Sequence, residues 1–184
     1  MDYIFYIGLI GAIVLVIGAA WPGVKDKHPV TSIKNWLFAI GNICMFSYAF
    51  LGYFHQSAPI FFVFQQILIM LSTIFMMLNT NNKISGSLIS IAGLGLITWS
   101  LILFEGYYTV IFILGLIGIA LGYAFKGGTK RRYLALTLGS LFVAFFSYLE
   151  QSWIFFWLNV FFSLFSFFYL LKIYFSLQTK EKIV

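Results

Sequence analysis

A chain of 184 residues that is 62% hydrophobic and only 9% charged cannot hide its apolar surface in water, where a soluble domain carries about 25% charged residues. A net charge of +6 on so few charged groups reads as a membrane-topology signal, so no nucleic-acid partner is expected. A single cysteine, Cys44, excludes an intrachain disulfide, and two histidines in predicted loops, His28 and His55, make no metal cluster.

A bilayer core of about 30 Å needs roughly 20 apolar residues per helix. Seven segments meet that requirement. The first, Tyr3–Trp21, follows Asp2 with no preceding base, so it reads as a retained helix and not as a signal peptide. It carries the heptad FYIGLIG (Phe5 to Gly11) and leads into the loop PGVKDKHP. The second, Asn35–Phe54, carries Gly41-Asn42, Ser47 and Tyr48. The third, Pro59–Leu78, opens with IFFVFQ and places Gln65 and Gln66 side by side. The fourth, Ile84–Phe104, has no comparable polar pair. The fifth, Tyr107–Phe125, carries a second heptad, FILGLIG (Phe112 to Gly118). The sixth, Tyr133–Leu149, carries Gly139-Ser140, and the seventh, Trp153–Phe175, opens with IFFWLN and holds Trp157 and Asn159. Backbone polar groups in lipid must be satisfied within the segment, and none of these runs alternates as a barrel strand would, so all seven are expected to be helices.

The charges test that count. Lys25, Lys27 and Lys34, then Lys83, then Lys126, Lys130, Arg131 and Arg132, then Lys172, Lys180 and Lys182 all fall on one side of a seven-span chain. The other side holds Asp2, Glu105 and Glu150 and no base. Basic loops stay cytoplasmic, so the N-terminus is expected outside and the C-terminus inside, in a bacterial inner membrane or a plasma membrane.

The two heptads suggest a duplication. Gly11 aligns with Gly118 at an offset of 107 residues, and Gly41-Asn42 aligns with Gly139-Ser140 at 98. His55-Gln56-Ser57 aligns with Glu150-Gln151-Ser152 at 95, and IFFVFQ with IFFWLN at 94. The offset falls in small steps that loops can absorb. The reading is an all-α integral membrane protein: a first three-helix repeat at 1–80, a linker helix at 81–106 and a second repeat at 107–184. An odd linker gives both repeats the same orientation, and sites between parallel repeats lie at their interface near the midplane.

This arrangement resembles the SWEET and PQ-loop superfamily of small membrane transporters, with the related bacterial nicotinamide riboside transporters sharing the architecture. Trp21-Pro22-Gly23 and a lysine-containing loop stand close to the family's Pro-Gln pair. Tyr48 and Gly52 fit the family's aromatic residue and glycine before the turn. After Ala58-Pro59 comes Gln65, where the SWEET family has a substrate-binding Asn; Asn159 is that residue itself in the second repeat. The resemblance implies alternating access between the two units, with Pro22 and Pro59 as hinge residues.

Polar side chains inside a membrane are costly and therefore candidates for function. The seven spans contain no Asp or Glu, which disfavours proton or sodium coupling and fits facilitated diffusion of a small neutral polar solute such as a sugar, nucleoside or vitamin. Gln65 and Asn159 are the sharpest candidates, with Gln66, Asn42 and Ser140 behind them; an amide offers two donors and an acceptor. Hydrogen bonding between helices is the competing role for each. Tyr48 and Trp157 suit either stacking on a solute ring or packing. The glycines at i and i+3 in both heptads suit close helix packing. No catalytic constellation can be assembled, so an enzyme is not expected, and no cofactor is implied. A non-transporting membrane assembly factor or partner subunit is the alternative, and homo-oligomerisation stays open.

Overall fold

The computed structural model describes residues 3–21, 28–56 and 58–181. Seven helices follow in chain order: α1 (Tyr3–Ala20), α2 (Ile33–Gln56), α3 (Ile60–Met77), α4 (Asn82–Ile102), α5 (Tyr107–Ala124), α6 (Lys130–Leu149) and α7 (Trp153–Glu181). All seven are long and apolar enough to cross a membrane, and no strand occurs among the described residues. Several run past the apolar segments because polar caps extend them. The Asn81 side chain accepts from the Lys83 amide at 2.9 Å and starts α4. Thr129 Oγ1 accepts from the Arg132 amide at 3.3 Å and starts α6. Each cap satisfies one of the amides a helix start leaves open.

The radial distribution is that of a membrane protein. Ile10, Ile13 and Ile17 of α1, Ile91 and Leu94 of α4, and Leu164 and Phe168 of α7 all face outward. Asn42, Gln65, Gln66, Thr73, Ser140 and Asn159 lie inside. In water this arrangement would expose the apolar groups and bury the polar ones; against lipid it does the reverse of harm, because the outer surface meets hydrocarbon.

Helix α1 packs on α2, α2 on α3, α5 on α6 and α6 on α7; α1 also meets α7, α3 meets α5, and α4 lies against α3 and α5. The α1–α2 and α5–α6 crossings are built alike. A Cβ on Gly11 would lie 3.2 Å from the Gly41 carbonyl oxygen and 3.1 Å from the Met45 nitrogen. One on Gly115 would lie 3.1 Å from the Gly139 oxygen and 3.0 Å from the Val143 nitrogen. Gly18 sits against Leu37 and Phe38 as Gly122 sits against Leu136. The cationic end repeats the match. Lys34 Nζ donates to the Trp21 carbonyl at 2.9 Å, and Arg132 guanidinium donates to the Phe125 carbonyl at 3.2 Å. Both cover carbonyls left open at a helix C-terminus. These contacts share one shift of 104 residues between α1 and α5 and one of 98 between α2 and α6.

That register corrects the alignment of the two heptads. Gly11 is equivalent to Gly115, and Gly118 has Val14 as its counterpart. Residues three apart share a helix face, so sliding one heptad along the other by three keeps glycines on the packed face. Sequence identity could not distinguish the two registers; the backbone contacts do.

Candidate functional site

Gln65 lies five residues into α3, about 8 Å from its start. Its neighbours Phe61, Phe62 and Leu68 on the same face are all buried. Asn159 occupies the matching position in α7. The two meet across the interior: Gln65 Nε2 donates to Asn159 Oδ1 at 2.9 Å, and both residues are almost wholly buried. Asn159 Nδ2 donates to the Phe155 carbonyl of its own helix at 2.8 Å, which fixes the amide plane. Gln65 Oε1 has no partner among the described residues.

One turn away, Phe62 and Phe155 stack with centroids 4.2 Å apart and planes within 3°. Because both this pair and the amide pair advance together along the two helices, α3 and α7 run parallel at the centre. Phe61, Phe112 and Phe146 complete an aromatic layer on that side of the amides. The layer is reciprocal between the halves: Phe61 of α3 meets Phe146 of α6, and Phe155 of α7 meets Tyr48 of α2. Tyr48 is half-buried there, with its ring under Gly8.

A second polar group sits between α2 and α3. Asn42 Nδ2 donates to Thr73 Oγ1 at 2.6 Å, and Thr73 donates back to the Ile69 carbonyl. Gln66 lies seven residues before Thr73, two turns along the same face. Gln66 is 1% exposed, and both its Nε2 and Oε1 lack partners among the described residues, as does Asn42 Oδ1. With Gln65 Oε1 these are four buried polar atoms without a partner among the described residues, and each costs about 1–3 kcal/mol where it stays unpaired. Thr73 carried no signal in the sequence, since a lone Thr in an apolar helix ordinarily bonds its own backbone.

The remaining candidates separate. Ser140 is buried in α6 at the position equivalent to Asn42. Trp157 is 55% exposed and faces outward, away from Asn159, because two residues along a helix turn the side chain by about 200°. Pro59 forms the N-cap of α3, where its fixed φ sets the angle at which the chain leaves the α2–α3 connection without breaking a helix. Pro22 lies outside the described residues.

At one end of the molecule, partial burial and, second, the nearby Glu105 carboxylate hold the Glu150 carboxyl above the ordinary glutamate value. The α4–α5 and α6–α7 connections therefore lie at the same end, as seven alternating helices require. No protein-family model matches the sequence, and no curated protein and no solved structure matches it significantly.

Proposed function

We propose that this protein is a membrane transporter that facilitates passage of a small neutral polar solute between its two three-helix units. The observation that carries the reading is the Gln65–Asn159 pair, two equivalent amides meeting in the interior with Gln65 Oε1 and both ends of Gln66 still able to bond. Neutral amides recognise hydroxyls, carbonyls and amines without needing a counter-charge. The spans hold no carboxylate to carry a proton, which favours facilitated diffusion. The likeness to the SWEET and PQ-loop transporters supports the same reading, as does the parallel course of α3 and α7. In this reading the basic end faces the cytoplasm and the N-terminus lies outside.

The test is a thermal-stability screen of the detergent-purified protein against sugars, nucleosides and vitamins. A bound solute at 100 times its Kd contributes about 2.7 kcal/mol, a shift of several degrees for a chain of this size. The Gln65→Leu/Asn159→Leu double variant should fold and lose that shift, and should lose uptake in cells while keeping its membrane level. Retained uptake would overturn the site.

The second reading, a non-transporting partner or assembly subunit, draws on the five phenylalanines that fill the interior beside the amides. One stoichiometric membrane partner on pulldown, with no solute shifting the midpoint, would decide for it.

A further inference from the structure

Outside the amide interior, the basic end carries a groove between the start of α4 and the end of α5. It is an open groove of about 990 Å³. Lys83 and Lys126 stand at its mouth, Ser87 and Ser90 line it, and Ile91 and Leu121 form its apolar wall. Its floor is fixed by a close approach: a Cβ on Gly86 would lie 2.7 Å from the Ala124 carbonyl oxygen. A larger residue at position 86 would push α4 off α5 and change the groove.

The lysines separate from the other bases. Lys34 and Arg132 cover carbonyls at helix ends, and Lys130 lies over the Tyr174 ring. Among the described residues no hydrogen bond, ion pair or ring contact engages the side chain of Lys83 or Lys126. Two ammoniums that no described residue engages therefore line one groove. The Asn81 side chain occupies the Lys83 amide, which leaves the ammoniums to supply the positive charge. From Lys83 to Ile91 the groove changes from charged to hydroxyl-lined to apolar over eight residues of α4, about 12 Å along the axis. Ser87 is exposed on α4 among the outward-facing apolar residues Ile84, Leu88, Ile91 and Leu94.

We propose that this groove binds one anionic phospholipid, with its phosphate between Lys83 and Lys126, its glycerol region at Ser87 and Ser90, and an acyl chain along Ile91 and Leu121. The gradient matches that of a lipid standing in a leaflet, and a free phosphate would have no use for the apolar wall. Anionic lipids enrich the cytoplasmic leaflet, the side on which the basic loops are expected. The site is independent of the solute reading given above.

Native mass spectrometry of the purified protein, titrated with phosphatidylglycerol or phosphatidylcholine, tests it. One phosphatidylglycerol should bind in preference to phosphatidylcholine. Lys83→Gln/Lys126→Gln should weaken phosphatidylglycerol binding by about 30-fold, the product expected for two lysines near a charged headgroup. Arg131→Gln/Lys172→Gln removes two exposed bases that no described residue engages and that do not line the groove, and should leave binding unchanged. Circular dichroism and the thermal midpoint in lipid-free detergent establish that both variants fold, and Lys83→Arg/Lys126→Arg supplies a charge-preserving comparison that should retain binding. Equal binding of the two lipids, equal loss in both glutamine variants, or displacement of the lipid by inorganic phosphate would overturn the proposal.

Discussion

The two three-helix units share a scaffold and differ in what fills it. In the second unit the α5–α6 crossing brings backbone against backbone at Gly118 and Gly139, although Gly115 and Gly122 meet the side chains of Val143 and Leu136 first: a Cβ on Gly139 would meet the Ile119 nitrogen at 2.6 Å and the Gly115 oxygen at 2.9 Å. In the first unit the nearest atoms at Gly8, Gly11, Gly18 and Gly41 belong to side chains, those of Tyr48, Cys44, Leu37 and Leu15. The unpaired buried amides lie in the first unit. Asn42, Thr73 and Gln66 between α2 and α3 have Ser140, Phe167 and Val160 as their counterparts in α6 and α7. The second unit is thus seated backbone on backbone at Gly118 and Gly139, and the first carries the four buried polar atoms that lack a partner among the described residues. Close backbone approach stabilises membrane helices through dispersion and cannot tolerate an added methyl, whereas side-chain contacts can shift.

The largest effect expected from that contrast is at Gly139. Gly139→Ala should destabilise by about 3 kcal/mol in reversible unfolding from micelles, because backbone surrounds the position and overpacking there has no side chain to displace. Gly18→Ala, facing Leu37 Cβ at 3.1 Å, should cost about 1 kcal/mol. Equal losses at the two sites would remove the distinction between the units.

A double-mutant cycle addresses the polar side. Thr73→Val strands the Asn42 amide and should cost about 1–2 kcal/mol. With Asn42→Leu the cycle should return a coupling of about 0.6–1.7 kcal/mol, the range for hydrogen bonds between membrane helices. Ser140→Ala, at the equivalent place, should fall well below either single loss.

Glu150 gives a smaller, pH-dependent effect. Its folded carboxyl sits above the ordinary glutamate value, so its stabilising contribution is fully present below that ordinary value and is lost as pH rises through the raised one. Stability should therefore fall modestly as the pH climbs from the ordinary glutamate range toward neutrality, and Glu150→Gln should flatten that part of the profile. Glu105→Gln should lower the Glu150 pKa and narrow the same window. A profile unchanged by Glu150→Gln would show that folding does not raise the Glu150 carboxyl, and one unchanged by Glu105→Gln that the two carboxylates do not interact. The smallest effect lies at Gly95, where nothing stands within 4 Å of an added Cβ. Gly95→Ala should stabilise by about 0.5–1 kcal/mol through helix propensity alone.

Length, apolar runs and the placement of lysines and arginines determined the seven helices, because the energy of placing a charge or an unpaired backbone group in hydrocarbon is read locally, residue by residue. The correspondence of Gln65 with Asn159 was legible for the same reason: a polar residue within an apolar run stands out, and IFFVFQ and IFFWLN mark its register. Tertiary structure alone decided which glycines face each other, since a slide by three residues preserves both composition and face, and only the distance between two backbones separates Gly115 from Gly118. It also decided that Thr73 partners Asn42 and that Trp157 looks outward while Asn159 looks in. Those outcomes depend on the rotation of each helix about its axis, which neighbouring helices set by packing and which an all-round apolar sequence leaves undetermined.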